Sequence, residues 1–572
     1  MSVREQSFCR ALFFGVVAED LIFPFPQLGD EALGTTHELC AQVRRFADGE
    51  VDSAAIDRDG SLEPRYLGRL RELGLFGLSA PKELGGSGLP RLAAARVQSE
   101  LSAADASLGL VALTQEAIGL RAILSFGSEA QKQAYVPALA KGEKLVAFAL
   151  AEESSGTDAG TTRTNAQRTP EGWVLSGEKP WVTNGELADV FVVFARTSRL
   201  DEGQKPRLTP FIVERGPGVT VGARREMLGL RGALVAQVSF RDVKLPPDAV
   251  LGEVGRGFRV AMEVMTDARV ALSAWLFGQL RSLVSWTVAR VQKRRSFGRA
   301  IGEFPILKNK IAKMLADAYA VESMTFLTAG LVDRRVDDTS LESALTRVAA
   351  SEALWRTANE AMQIAGGSGY VTTLPLERRL RDARGGLVVD GTNETLRCFI
   401  ALSGLRGPGE HLGGVERAMY EPVKGFGLLR DFALRKVREA MRRERLARAH
   451  PLLSREAVLF EEGTDALHRA AQRALADHGR EIAEMQQTQV RIANVVIDLY
   501  ALAACISRAT LAIEQRGESG ARREIDLTSM FASAARGRMH ANLGRLEHAD
   551  DALRKAIASR TYTDGGYPFD VI

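Results

Sequence analysis

The sequence predicts an α+β protein, mostly helical, on two changes of hydrophobic period and one shift in composition. Apolar residues recur at helical spacing up to about position 147, then fall into short β-branched runs from 148 to 255. Helical spacing returns from 256 to 405. A Gly-rich and then strongly basic stretch, 406–450, leads to a last helical region, 451–572. Helices and strands are segregated along the chain and do not alternate as βαβ units. Five segments are expected: helical 1–147, β 148–255, a helical bundle 256–405, a basic connecting segment 406–450, and a second helical domain 451–572.

In the first segment Leu67, Leu70, Leu73 and Leu75 lie close to one helix face before GLFGLSAPKELGGSGLP breaks the pattern with Gly and Pro. Strands are expected at Trp173–Leu175, Val190–Phe194, Pro210–Val213 and Val235–Phe240, separated by Gly, Pro and Asn turns. From Phe258 to Gly404 the pattern is of long helices. Between Glu416 and Arg448 there are ten Lys/Arg against five Asp/Glu. Leu429, Ala433, Val437 and Met441 fall at i+4 steps there, with most of the arginines elsewhere on the wheel. That is an amphipathic basic segment suited to peripheral membrane contact, or equally a solvated charged helix. RIANVVIDLYALAACISRAT, Arg491–Thr510, is the apolar helix of the last region.

Composition excludes several classes. A net charge of +4, from 75 basic against 71 acidic residues, is too balanced for a nucleic-acid binder. Cys9, Cys40, Cys398 and Cys505 are far apart with no CxxC spacing, which argues against disulfides and zinc and for a reducing cytoplasm. The seven histidines form no metal-binding cluster. The apolar run Ala11–Val17 lacks a cleavage pattern, so no signal peptide is expected. No uncharged stretch is long enough to suggest a transmembrane helix.

Five strings carry chemistry. AFALAEESSGTD (147–158) is a strand entering a small-residue turn, where backbone N–H groups and the Thr157 hydroxyl can meet cofactor oxygens. KPWVTNG (179–185) places an indole beside a hydroxyl. RRSFG (294–298) pairs a guanidinium with an exposed-type aromatic. QIAGGSGY (363–370) has bare backbone that lets a phosphate approach. GLVVDGTNETLRCFIAL (386–402) sets Asp390 before a Gly-Thr turn and a helix. Alone, Asp390 reads as a turn or N-cap carboxylate. GEVGRGF (252–258) lacks the strand–turn–helix order of a dinucleotide loop and reads as a turn into a helix.

Taken together and in this order, the five strings resemble the acyl-CoA dehydrogenase family. The chain length and last helical region resemble its very-long-chain type. The resemblance implies that family's fold: an N-terminal helical domain, a central β-barrel-like domain and a four-helix bundle, with an added C-terminal helical domain. It implies FAD as cofactor, an acyl-CoA substrate, an electron-transfer flavoprotein as electron acceptor, and a homodimer. Asp390 takes the place of the catalytic base. Flavin contacts are carried onto Phe148, Leu150, Ala151, Thr157, Trp181, Val182 and Thr183, and onto Thr392 and Glu394. Arg294 and Phe297 would reach the FAD of a neighbouring subunit, and Gln363, Gly366 and Gly367 would contact the cofactor where bare backbone lets its phosphate approach. Ser155, Thr266, Asp267, Arg269 and Gly391 take the substrate-contacting positions. No metal is implied.

Several positions depart from the family pattern. Asp390 is one methylene shorter than the usual glutamate, a retreat of roughly 1 Å that can cost about 10²-fold in rate. Some members carry a glutamate base just before the arginine matching Arg269, where this chain has Ala268. Ala151, Ala233 and Pro305 replace polar residues. Nitroalkane oxidases of the same superfamily carry an aspartate base. Chemistry on another carbon acid therefore stands as one alternative, and a non-catalytic flavoprotein or assembly scaffold as another.

Overall fold

Close to residue 147, where the period changes, the chain passes from helix to sheet. The computed structural model describes residues 7–156, 158, 161–197, 207–420, 445–547 and 550–570. Its contacts divide into two units, Phe25–Thr395 and a discontinuous one, Met1–Pro24 with Leu396–Ile572. The first helix, α1 (Phe8–Leu12), belongs with the C-terminal helices, whereas the sequence reading grouped it with the N-terminal ones.

In the larger unit the N-terminal helices are α2 (Asp30–Glu50), α3 (Ser53–Asp59), α4 (Pro64–Glu72), α5 (Arg91–Ala104), α6 (Ala106–Leu113), α7 (Arg121–Phe126) and α8 (Glu129–Ala140). Their ends follow side-chain chemistry. Asp52 caps α3, and Asp105, extended at φ −149°, ends α5 and caps α6 by accepting from the Leu108 N–H. Ser128 and Gln131 form a reciprocal capping box at the start of α8. Between α6 and α7 the backbone widens into one π-helical stretch, Thr114–Leu120. Ala106–Phe126 is apolar and long enough to cross a membrane by composition, as is Gln486–Gly520, but 83% of each apolar window is buried against the rest of the protein. Both therefore act here as core helices.

The β-domain is a single sheet of seven strands: β1 (Val146–Ala149), β2 (Asn165–Thr169), β3 (Gly172–Val182), β4 (Val190–Arg196), β5 (Leu208–Glu214), β6 (Val219–Arg224) and β7 (Ala236–Leu245). The order is β1-β4-β2-β3-β7-β6, with β5 on β4. Every expected strand falls on one of these, Val235 alone lying just outside β7. β1 is the strand expected to lead into the turn of AFALAEESSGTD. β2 and β6 were not foreseen: β2 reads NAQRT, without the β-branched run that marks a half-buried strand, and β6 is an exposed edge.

After the sheet come α9 (Gly257–Lys293), a small hairpin of β8 (Arg295–Ser296) and β9 (Arg299–Ala300), then α10 (Pro305–Asp333), α11 (Ser340–Ala365) and α12 (Leu376–Gly386). α9 crosses α5 at Gly278, where an added methyl group would overlap the Ser99 carbonyl oxygen. The same closeness lets Trp275 bury its indole and donate to the Ala106 carbonyl at 2.8 Å. Leu276, Leu280 and Leu354 complete this core and hold α11 against α9.

In the second unit α13 (Asn393–Tyr420) contributes Leu396 onward, followed by α14 (Ser454–His478), α15 (Gln486–Gly520), α16 (Arg522–Glu547) and α17 (Asp551–Asp564). α15 carries the expected apolar helix, with Ile492, Leu499, Tyr500 and Ile506 fully buried. α1 docks on this bundle through Phe8, whose ring lies 6.1 Å from those of both Phe460 and Tyr500. His468 Nδ1 meets the Phe13 carbonyl at 2.9 Å, and Ser507 donates to the Ile22 carbonyl. An apolar helix of five residues has no stability of its own. Burial decides where it sits.

Gly278→Ala is expected to lower stability by about 1–3 kcal/mol, at the upper end of overpacking costs because the obstacle is backbone. A thermal unfolding midpoint equal to that of the parent would contradict this packing.

Candidate active site

Asp390 sits in the short link from α12 to α13. Its backbone is left-handed at φ +62°, and Gly391 follows at φ +86°. Glycine takes such angles freely; for an aspartate they cost of order 1–3 kcal/mol and need outside support. Thr392 caps the incoming helix, its hydroxyl accepting from the Thr395 N–H at 3.3 Å. The Asn393 N–H closes the turn on the Leu387 carbonyl at 3.3 Å.

Two arginines hold this turn. Arg269 on α9 donates from Nε to Asp390 Oδ2 at 2.9 Å, and both side chains are 7% exposed. Oδ1 accepts no hydrogen bond from the described residues. Arg347 on α11 is 1% exposed and donates to the Val389 carbonyl and to Asn393 Oδ1. Burial pulls its guanidinium down to about 10, with the Asp390 charge acting in the opposite direction. Arg347 lies two turns into α11 and is the one Lys or Arg between Leu341 and Trp355, which was the only signal the sequence carried for it.

Helix geometry separates residues that are close in sequence. At about 100° per residue, Asp267 lies roughly 200° around α9 from Arg269. Its carboxylate meets Arg91 at 3.0 Å and stands 3.8 Å from Arg121, beside Glu116 of the π-helical turn. Burial, followed by the neighbouring Arg91 charge, lowers Arg121 to about 10. Thr266 donates back to the Met262 carbonyl at 2.9 Å. Ser155 is buried and donates to the Asp158 carbonyl at 2.7 Å. Of the expected substrate-contacting set, the structure brings Arg269 and Gly391 to Asp390 and leaves Thr266, Asp267 and Ser155 in other contacts.

The sheet gathers the first two strings. Phe148 packs on Phe194 at the end of β1, with ring centroids 4.9 Å apart. Leu150 and Ala151 continue half-buried, and Thr157 lies outside the described residues. On β3 Trp181 is 49% exposed, Val182 faces the core, and Thr183 is half-buried. What ties these strands together is a buried charge pair. Lys179 Nζ donates to Glu152 at 2.7 Å and to the Leu150 carbonyl at 2.8 Å. Burial drives Lys179 down to about 8. Burial alone would raise Glu152, but Lys179 and the Arg163 N–H more than offset it, so it titrates below the usual carboxylate range. Neither residue was among the expected site residues. A charged residue in a strand reads as a solvated face until its neighbours are known.

The remaining expected residues are presented on the surface. Phe297, at φ +51° on the tip of the β8–β9 hairpin, is 94% exposed. Arg294 forms no ion pair among the described residues. Gln363 is exposed, and Gly366 and Gly367 have open space where a side chain would stand. Thr392 and Glu394 line a groove of about 740 Å³, open to solvent, together with Glu352, Trp355, Arg356 and Arg384. The last four were not anticipated; they come from the two helices that precede the Asp390 turn, α11 and α12. Among the described residues no group of acids, histidines and cysteines could hold a metal ion. Cys9, Cys40, Cys398 and Cys505 are all free thiols.

Comparison with known proteins matches the chain to "Acyl-CoA dehydrogenase, N-terminal domain" over residues 35–143, the "middle domain" over 147–243 and the "C-terminal domain" over 255–405. Residues 451–567 match "ACAD9/ACADV, C-terminal domain". The very long-chain specific acyl-CoA dehydrogenase of Homo sapiens mitochondria is 35% identical over 95% of this chain and 84% of its own length. Among solved structures, an acyl-CoA dehydrogenase complexed with FAD from Bacillus anthracis aligns with a TM-score of 0.79 at 26% identity. The alignment covers 98% of this chain and 96% of that one. Butyryl-CoA dehydrogenase from Megasphaera elsdenii aligns at 0.63 with 28% identity, over 66% of this chain and 99% of that one.

Lys179→Met strands the Glu152 carboxylate in the interior and is expected to cost about 3–5 kcal/mol, with much of the loss recovered by adding Glu152→Gln. The pH dependence has a definite sign. The folded protein releases the Lys179 proton near 8, whereas the unfolded chain keeps it to the ordinary 10.5. Between these values the unfolded state binds more protons, so this group makes stability rise with pH. The parent should gain thermal stability on the double variant across that window. A constant difference in midpoint would refute the assignment.

Proposed function

This chain belongs to the acyl-CoA dehydrogenase family, and on that premise we propose that Asp390 is the base in α,β-dehydrogenation of long-chain acyl-CoA thioesters. The chain is a flavoprotein oxidoreductase with FAD as its cofactor. The residues present fit that group: an exposed indole at Trp181 beside Thr183, open glycine backbone at Gly156, Gly366, Gly367 and Gly391, and a free-standing Arg294 next to Phe297. When bound, FAD supplies the acceptor for the β-hydride. Phe148, Leu150, Ala151, Thr157, Trp181, Val182, Thr183, Thr392 and Glu394 would hold it. Gln363, Gly366 and Gly367 would meet its phosphate, and Arg294 and Phe297 of a second copy would complete the cradle, which makes the active unit a homodimer.

In this reading Asp390 Oδ1, the oxygen Arg269 leaves free, takes the α-proton. The β-hydrogen departs with its electron pair, and a double bond joins the two carbons. The Asp390 N–H donates to nothing among the described residues, so it is available to the thioester oxygen as negative charge develops there. Gly391 leaves open space beside the carboxylate. An electron-transfer flavoprotein removes the electrons. The cytoplasm, with peripheral contact at a membrane's inner face through the basic segment 416–448, is the proposed location; residues 421–444 of that segment lie outside the described ones. The observation that carries the reading is a carboxylate braced by a buried arginine in a left-handed turn, at the position of the family's base.

The shorter carboxylate specifically favours one alternative, a divergent flavin-dependent reaction on another carbon acid such as a nitroalkane. Asp390→Asn should keep FAD bound and slow anaerobic flavin bleaching by palmitoyl-CoA about 10²–10⁴-fold, the usual span for a general base. Undiminished bleaching in that variant would remove Asp390 from the role. Bleaching of the parent by a nitroalkane, and not by palmitoyl-CoA, would select the alternative.

A further inference from the structure

Asp390 occupies backbone angles that a residue with a Cβ adopts only when its surroundings impose them. Arg269 does not impose them, because it grips the carboxylate at the far end of the side chain. The backbone is held from the other side. Arg347 donates to the Val389 carbonyl, which belongs to the peptide plane leading directly into Asp390, and to Asn393 Oδ1, two residues past Gly391. Asn393 is itself 3% exposed, and its Nδ2 donates to Ser351 at 3.0 Å and Glu352 at 3.3 Å. Arg347 and Ser351 lie one turn apart on α11, with Glu352 beside Ser351. One helix face thus clamps the turn before and after the aspartate.

We infer that Arg347 is a positioning residue that aims the Asp390 carboxylate by fixing the backbone turn on either side of it. This rests on the reading of Asp390 as the base. Three features separate the role from packing. First, both bonds go to the turn and neither goes to a carboxylate, so the geometry of the turn is what the guanidinium reads. Second, burying this charge is costly enough to lower its proton affinity, and an apolar side chain of similar volume would fill the space without that cost. Third, the planar fork spans two acceptors from residues four positions apart, on opposite sides of Asp390. An ammonium is a single point of charge and cannot reproduce that span.

The test uses the FAD-loaded full chain with Arg347→Lys and Arg347→Met, and Asp390→Asn alongside. Thermal midpoint and bound FAD report on folding, and palmitoyl-CoA affinity reports on binding. Anaerobic flavin reduction by palmitoyl-CoA reports on aim. Arg347→Lys should retain FAD and palmitoyl-CoA affinity within about twofold while slowing reduction by about 10-fold or more, and Arg347→Met by about 10²-fold, as for a misplacement near 1 Å. A buried lysine gives up its proton below the ordinary range. Reduction by Arg347→Lys should therefore fall further between about pH 7 and pH 9, where the parent stays level. Parent-like rates and pH profile in both arginine variants, with Asp390→Asn inactive, overturn the inference and leave the base reading intact. So does a loss of rate in step with lost FAD or lost folding. Activity in Asp390→Asn overturns the base reading itself.

Discussion

The candidate site depends on a left-handed turn that Asp390 would not hold alone. Its strain, of order 1–3 kcal/mol, must be offset by contacts from outside the turn. Those come from two helices: α9 supplies Arg269 to the carboxylate and α11 supplies Arg347 to the backbone. The aspartate is correctly placed only when both helices are, which makes the interior packing of the bundle part of the site. Trp275, Leu276 and Leu354 hold α9 and α11 together, and Gly278 lets α9 approach α5 closely. A change in that core would reach Asp390 without touching it.

The β-domain solves a similar problem with a similar device. The residues that would face a flavin leave β1 and β3, which are not hydrogen-bonded neighbours in the sheet. Lys179 and Glu152 join them across that gap and also fasten the Leu150 carbonyl and the Arg163 and Thr164 N–H groups. Buried ion pairs add little net stability, since desolvation nearly cancels their attraction. What they contribute is direction, because breaking one strands a charge in the interior. In both halves of the larger unit, buried cations orient main chain that has no regular partner.

The C-terminal unit shows a different use of burial. α1 is too short to persist alone, yet its apolar side chains are among the most enclosed in the protein. Phe8 lies on Phe460 and Tyr500, and Gly404 gives Phe13 room that any side chain would fill. Residues 8–22 therefore fold as part of a unit whose other helices begin almost 400 residues later.

Much of this was legible in the sequence. The long helices, the four apolar strands, the Asp390 turn with its glycine and threonine, and the family itself follow from residues within a few positions of one another. Such features express period, caps and turns, and those are local interactions. β2 escaped notice because NAQRT has no strand pattern and is held by its partner β3. Thr266, Asp267 and Arg269 looked like one cluster because they are close in sequence, but the helix turns Asp267 roughly 200° away from Arg269, and Thr266 spends its hydroxyl on the Met262 carbonyl. Lys179 and Arg347 were not singled out, because nothing near them in sequence shows that they are buried. The sequence by itself determined the long helices, the apolar strands and the turn that carries Asp390. Only the tertiary structure decided which charges lose their water, because desolvation depends on what distant parts of the chain pack over a residue. That loss of water is what turns Arg347, Arg269 and Lys179 from surface-type residues into the groups that hold the site in shape.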